Sequence, residues 1–514
     1  MSIYLTQVHP IRIYRFLFLW LILFSPFASI AHVASVDSVV RFSLASPLQS
    51  NMVIQQNKPF KIWGHIKAGE TVIIKADWQE NGVTVKSDAS NKFLALINVP
   101  AIKRGDYTKH NIKITAGKEE IVLANLLIGD VWFCSGQSNM QFAMREVEGA
   151  QTAMKAADKP NIRVLGVKFS WHDKPSETFE GKWQECSPES VREFSAIGYF
   201  YAAELQNKLD IPIGVIYSGV GGSVAQAYVA EDVLAADSLL KETYLTPFHK
   251  GDAYTKSDLN KFTFGTTSYP YLIYNGMIYP FQNLSIKGFL WYQGESNRSE
   301  RESYVRLTST LITSWRERFA QGDLPFYYVQ VAPYAYQKMD STLNDYAFFR
   351  EKQEQLSRVS NTAMVVTMDV GDPNDIHPKN KQPIALRLAR VALNLTYNQL
   401  NVIYKGPHFN YAVYNKNKVV IHFEPGTVTG GLKTNDGLAP KYFFVAADDQ
   451  KFHEANAQIV GNTIVLTCKN VKRPVAIRYA FTNYPVTNLE NAECLPAVPF
   501  RTDSWQEPDN RATQ

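Results

Sequence analysis

The chain has 514 residues, of which 45% are hydrophobic, 20% charged and 13% aromatic; this excludes a disordered or low-complexity protein and suggests roughly three domains' worth of chain. The net charge is +5, yet Lys and Arg are scattered among acids with no basic run or basic helix face. No nucleic-acid partner is indicated, and a neutral or sugar-like substrate fits as well as an acidic one.

At the N-terminus His9, Arg12 and Arg15 precede the apolar stretch "FLFLWLILF" and the small-residue stretch "SPFASIAHVAS". This reads as a secretory signal over residues 1–34, cleaved near Ala31 or Ala34 and delivering the chain to the periplasm or the cell exterior. The apolar stretch is about half of what a bilayer-spanning helix needs, so no stable membrane insertion is expected after cleavage. Export permits disulfides, and Cys134, Cys186, Cys468 and Cys494 read equally as paired or as isolated thiols.

Residues 35–126 alternate apolar and polar in short runs such as "KPFKIWGHI", "TVIIKADW" and "KFLALINV", separated by Gly, Asn and Asp, the pattern of a β-sandwich-like domain. Over residues 127–400 strands such as "GVIYSGV", "GFLWYQG" and "FYYVQVA" alternate with helical stretches such as "SYVRLTSTLITSWRERF" and "PIALRLARVALNL". That alternation predicts an α/β domain with a parallel sheet covered on both faces. Short strands return over residues 401–514, as in "KVVIHFEP" and "NTIVLTCK", predicting a second flanking β-rich segment.

Four polar, Gly-containing clusters follow buried strands of the α/β region, where open sheets place their sites: "CSGQSNM", "SGVGGS", "WYQGESN" and "GDPNDIHP". Ser138 could sit on a tight strand-to-helix turn as a nucleophile, although Ser138 or Asn139 as a simple helix cap explains the first cluster equally well. The second Gly of G-x-S-x-G is replaced by Met140, which makes the strained elbow of α/β-hydrolases a poor match. His377 is suited to activate a serine hydroxyl, and Asp369, Asp372 and Asp375 lie close before it. A metal site made of these acids fits poorly, because their spacing is not that of a calcium loop and no second His is near. Gly221 and Gly222 offer bare backbone N–H groups and Gln293 a side-chain amide for a developing oxyanion, with Glu295 and Asn297 close behind.

The segments "GDVWFCSGQSNMQF", "LIYNGMIYPF", "FLWYQGESN", "LPFYYVQVAPY", "GDPNDIHPKNKQPIALRLA" and "IRYAFTNYPVTNLENAECLPAVPFRTD" resemble the sialate O-acetylesterase family of SGNH-type hydrolases over most of the mature chain. The resemblance implies a flavodoxin-like three-layer α/β/α central domain flanked by β-sandwich-like segments. It implies removal of acetyl esters from sugar hydroxyls, O-acetylated sialic acid foremost, without cofactor or metal. Ser138 would be the nucleophile and first oxyanion donor, Gly222 or Gly221 the second, Gln293 the third and His377 the base. The superfamily's Asp three residues before the His is replaced here by Asn374, which leaves Asp375 as the expected orienting acid, Asp372 second, or a Ser–His dyad. Asn139, Trp291 and Arg350 are expected to contact the sugar, with Arg145, Tyr292 and Tyr334 as further lining. An esterase for acetylated xylan or pectin would use the same chemistry. A non-catalytic carbohydrate-binding protein is the reading from another class, disfavoured by intact Ser138, Gln293 and His377.

Overall fold

Period-two alternation builds the first part of the chain into two facing antiparallel sheets. The computed structural model describes residues 40–255, 259, 263–336 and 344–507; the expected signal segment, residues 1–34, lies outside them. Strands β1 (Val53–Gln55), β2 (Phe60–His65), β3 (Thr71–Ala76), β4 (Lys92–Ile97) and β5 (Lys109–Ala116) come first. β2 pairs with β4 and β3 with β5, and Ile62, Ile74, Phe93 and Ile114 meet in one core while their neighbours face outward.

β6 (Glu119–Gly136) then joins this region to the next without a break. Its first half pairs antiparallel with β5 and alternates in burial; from Leu126 onward every residue is buried. That change is the difference between a sheet with one wet face and a sheet covered on both. The domain boundary expected between residues 126 and 127 thus falls inside one strand, and the described residues from Arg41 onward form a single compact unit.

After a short helix α1 (Ser138–Gln141) come β7 (Lys159–Gly166), β8 (Trp183–Cys186), α2 (Ala196–Leu209), β9 (Ile213–Tyr217), β10 (Gly288–Tyr292), α3 (Glu302–Phe319), β11 (Phe326–Val329), α4 (Asp345–Glu354), β12 (Thr362–Val365) and α5 (Gln382–Leu395). The central sheet runs β8-β7-β9-β6-β10-β11-β12 and is mixed: all neighbours are parallel except β8 on β7. Alternate residues of each strand enter different cores. Trp132, Cys134 and Leu290 pack with α2 and α5, whereas Val131, Phe133 and Phe289 pack with α3 and α4. From β6 the chain builds β7 and then β9 on one side and afterwards crosses to β10 on the other, so the crevice where such sheets bind ligands opens at the C-terminal end of β6. The four polar clusters follow β6, β9, β10 and β12.

The last region contains β13 (Phe409–Asn415), β14 (Lys418–Phe423), β15 (Phe443–Ala446), β16 (Asn456–Val460), β17 (Thr463–Thr467), β18 (Ala476–Tyr479) and β19 (Phe500–Arg501). Two antiparallel sheets, β13-β14-β17-β16 and one containing β15-β18-β19, close on Ile421, Val445, Ile464 and Ile477. All four cysteines are free thiols, with Cys134 and Cys186 buried. Among the described residues no helix is long and apolar enough to cross a membrane.

Arginines anchor this last region. Arg501 pairs with Glu351 of α4 at 2.7 Å, and Arg478 grips Asp503 through two nitrogens at 2.9 and 2.8 Å. Burial alone would raise the Asp503 carboxyl, but Arg478 and Arg501 outweigh it and hold it below the ordinary carboxylate range. A carboxyl held low in the fold stabilises above its unfolded pKa, about 3.9, and the gain is lost as pH falls through the folded value. Asp503→Asn is expected to cost about 3 kcal/mol near neutral pH, because it leaves a buried guanidinium unpaired. Denaturant titrations at stepped pH should show the gap to wild type closing below about pH 4.

Candidate active site

The turn after β6 is forced by a close approach of two strands. Gly136 has φ +138, and a Cβ there would lie 2.1 Å from the Tyr292 carbonyl, so only glycine fits. The Gly136 carbonyl accepts from Val220 N–H (3.1 Å) and Tyr228 O–H (2.7 Å), and Gln137 N–H donates to the Tyr292 carbonyl at 2.9 Å. Gln137 Oε1 accepts from the N–H groups of Gly294 and Ser296, both at 3.3 Å. The turn is thereby sewn to the segments after β9 and β10. Gln137 occupies the cap position of α1 and makes no side-chain cap. Ser138 Oγ is therefore free of capping, and it lies 2.8 Å from His377 Nε2.

The three aspartates before His377 have separate partners. Asp369 is held by Arg387 at 2.8 and 2.5 Å. Asp372 accepts from the N–H groups of Asn374 (2.8 Å) and Asp375 (3.2 Å), closing the loop as an Asx turn. Asp375 Oδ1 alone meets the imidazole, 3.2 Å from His377 Nδ1, and also accepts from His377 N–H at 2.8 Å. A proton on Nδ1 pointing at this carboxylate leaves the Nε2 lone pair for the Ser138 hydroxyl. Phe142 stacks against the imidazole with ring centres 6.2 Å apart.

The expected oxyanion donors separate in the same way. Gly221 packs against Ser138, but its N–H is taken by Gln141 Oε1 at 2.7 Å. Among the described residues the Gly222 N–H finds no acceptor, and the Gly222 carbonyl is held by Ser296 Oγ at 3.2 Å. Ser138 N–H opens α1 and has no acceptor within the helix. Gln293, expected as a third donor, is fully buried; its Nε2 already donates to Asn297 Oδ1 (2.6 Å) and the Ser223 carbonyl (3.3 Å). Its amide braces the loops after β9 and β10 and is not presented to a ligand.

Asn139 and Arg350, both 0% exposed, and Trp291, at 1%, cannot contact a sugar. Trp291 packs its ring against Tyr228 and Trp315. Arg350 spends its guanidinium on the carbonyls of Thr482 and Asn483, tying α4 to the last region. Tyr292 is likewise buried, and Tyr334 rests edge-on against Tyr336. Of the sugar-contact candidates only Arg145 reaches the site: with Ser138, Gln141, Phe142, Glu193 and His377 it lines an open pocket of 330 Å³, paired there with Glu146 and Glu193.

Asn139 has another task, which sequence reasoning missed. Its Nδ2 donates to Glu295 Oε1 (2.5 Å) and to the Ile376 carbonyl (3.1 Å), and its Oδ1 accepts from Lys381 Nζ. One carboxamide thus ties the residue after Ser138 to the residue before His377. Burial pushes the Lys381 ammonium down to about 7, against the pull of Glu295 and Asp375, and pushes the Glu295 carboxyl up. Glu295 was visible beside Gln293 in "QGESN"; Lys381, in "HPKNKQP", carries no signal, since lysines there read as solvated.

Asn139→Ala leaves both buried polar groups unbridged, and is expected to cost about 2 kcal/mol of stability and to lower kcat on an acetyl ester by more than about tenfold with less change in KM. Glu295→Gln keeps a carbonyl acceptor and should retain most of kcat, whereas Glu295→Ala should not; thermal melts and steady-state kinetics on the three variants check this.

The chain matches the family of carbohydrate esterases described as sialic acid-specific acetylesterase over residues 128–394. It is 27% identical over 418 residues to the sialate O-acetylesterase of Rattus norvegicus, covering 72% of this chain and 76% of that one. Against the Homo sapiens sialate O-acetylesterase it is 27% identical over 402 residues, 72% of this chain and 73% of that one. The crystal structure of a carbohydrate acetylesterase from Xanthomonas citri superimposes with a TM-score of 0.79 at 30% identity, covering 90% of this chain and 100% of that chain. With a mixed α/β fold, a Ser–His pair at the sheet's crevice and this likeness over most of its length, the chain belongs to the sialic acid-specific acetylesterase family of carbohydrate esterases, carboxylic ester hydrolases that remove O-acetyl groups from sugars.

Proposed function

We propose that the chain is a sialate O-acetylesterase working through an acetyl-serine intermediate, with Ser138 as nucleophile, His377 as base and Asp375 as orienting acid. The observation that carries this reading is the run of contacts from Ser138 Oγ to His377 Nε2 (2.8 Å) and from His377 Nδ1 to Asp375 Oδ1 (3.2 Å), opening on a pocket. His377 Nε2 takes the Ser138 proton as Oγ attacks the acetyl carbon. The carbonyl oxygen becomes an oxyanion facing the N–H groups of Ser138 and Gly222. When the ester C–O bond breaks, His377 returns the proton to the sugar oxygen. Water then attacks the acetyl carbon, giving its proton to the same nitrogen, and Ser138 regains its hydrogen as acetate leaves.

The central domain in this reading is an SGNH-type three-layer α/β/α unit. Support comes from six parallel strands in the order β7-β9-β6-β10-β11-β12, of which β9-β6-β10-β11-β12 run 2-1-3-4-5 among themselves with β7 added at the edge beyond β9, and from helices against both faces. The β-rich regions before and after it act as attached modules, and residues 1–34 direct export. Arg145 supports sialic acid as the substrate, because its guanidinium lines the pocket and can trade Glu193 for a sugar carboxylate.

Ser138→Ala is expected to lower kcat/KM for acetyl-ester hydrolysis by at least about 10⁴-fold with an unchanged circular dichroism spectrum; retained activity would remove Ser138 from the mechanism. Asp375→Asn should cost on the order of 10²-fold or more in kcat. Asp372→Asn, which preserves the Asx turn, should leave kcat close to wild type in the same assay. Arg145→Ala should raise KM for O-acetylated sialic acid and leave KM for a neutral acetylated sugar unchanged.

A further inference from the structure

Past Gln141 and Glu193 the catalytic pocket continues into a larger space. This groove has a volume of 1050 Å³ against 330 Å³ for the pocket, and the same two residues line both. It follows the C-terminal ends of β7 and β9, where Gly166 and Tyr217 are the last strand residues. Phe169, Phe179 and Tyr217 share its lining with Lys168, Lys182 and Glu193. Sugars need such a surface: their C–H faces lie on rings, and their hydroxyls bond to charged or amide groups.

The first β region fixes one side of this groove. Gln49 Nε2 donates to the Gly181 carbonyl at 3.1 Å, and Gln49 Oε1 accepts from Trp183 N–H at 3.0 Å. Glu177 is held by His65 at 3.0 Å and by Lys92. The segment that carries Phe179 and Lys182 is thus clamped at both ends by residues that precede β6.

Resting on the esterase reading above, we propose that this groove binds the sugar residues next to the acetylated one, so that the preferred substrate is an oligosaccharide chain and the first β region serves to hold that chain's binding surface. Binding energy from the remote sugars then works at the reacting ester, and truncating the substrate lowers kcat/KM.

The test compares O-acetylated sialyllactose with free O-acetylated sialic acid, and acetylated xylotriose with acetylated xylose. In the series that the wild type hydrolyses, kcat/KM is expected to be about tenfold or more higher for the trisaccharide. Gly166 is exposed, its φ lies outside the left-handed region, and a Cβ there would meet only the Phe194 ring, at 3.8 Å. Gly166→Trp therefore fills the groove, and should bring the trisaccharide down to the monosaccharide's kcat/KM while leaving the monosaccharide unchanged. Lys182→Ala, a smaller change in the same groove, should lower the ratio in the same direction. A wild-type ratio near one, or a ratio that neither substitution moves, overturns the groove as a sugar site. Wild-type hydrolysis of neither monosaccharide nor trisaccharide in either series overturns the esterase reading itself, and the groove proposal with it.

Discussion

The site depends on the carboxamide of Asn139. It lies behind the nucleophile's turn, fully buried, and its two ends bond in opposite senses: oxygen to the Lys381 ammonium, nitrogen to Glu295 and the Ile376 carbonyl. Ser138 comes from the end of β6 and His377 from the loop after β12, three strands away across the sheet. Without a shared fastening, two such loops would not hold a 2.8 Å contact between side chains that are both partly exposed. A buried ammonium and a buried carboxyl are costly to keep, and a neutral amide between them gives each one hydrogen bond without bringing them into a direct pair.

The rest of the architecture serves the same crest. β6 runs from the first β region into the middle of the central sheet, so that region is an extension of the strand that delivers Ser138. The last region is tied to α4 by Arg350 and Arg501. The segment 177–183 is held by Gln49, His65 and Lys92. Both flanking regions are thereby coupled to the face on which the substrate would lie, and a boundary drawn from composition alone misses that coupling.

Much of this was legible in the sequence, for identifiable reasons. The α/β alternation, the four polar clusters at strand ends and the pairing of Ser138 with His377 follow from periodicity and from the few residue types able to do the chemistry. Asp375 stood out from Asp369 and Asp372 only by its distance from the His, and in the fold all three are separated by partner. Trp291, Arg350 and Asn139 misled because an aromatic, an arginine and an amide beside a site read as ligand contacts, whereas each is spent on packing or bracing. Gln293 misled similarly, since its neighbour Asn297 claims its amide. The bond between Gly221 and Gln141, which leaves Gly222 as the open donor, depends on two chain segments 80 residues apart; no local pattern encodes it.

In the proposed mechanism the acetyl group passes through Ser138. Acid-quenched mass spectrometry during turnover of an activated aryl acetate tests it most directly, because a good leaving group makes deacylation the slow step. A burst of aryl alcohol matching the enzyme concentration is expected, with the acetyl group on the peptide that contains Ser138. Acetate release with no burst and no acetylated peptide, or acetylation of a different residue, would contradict it.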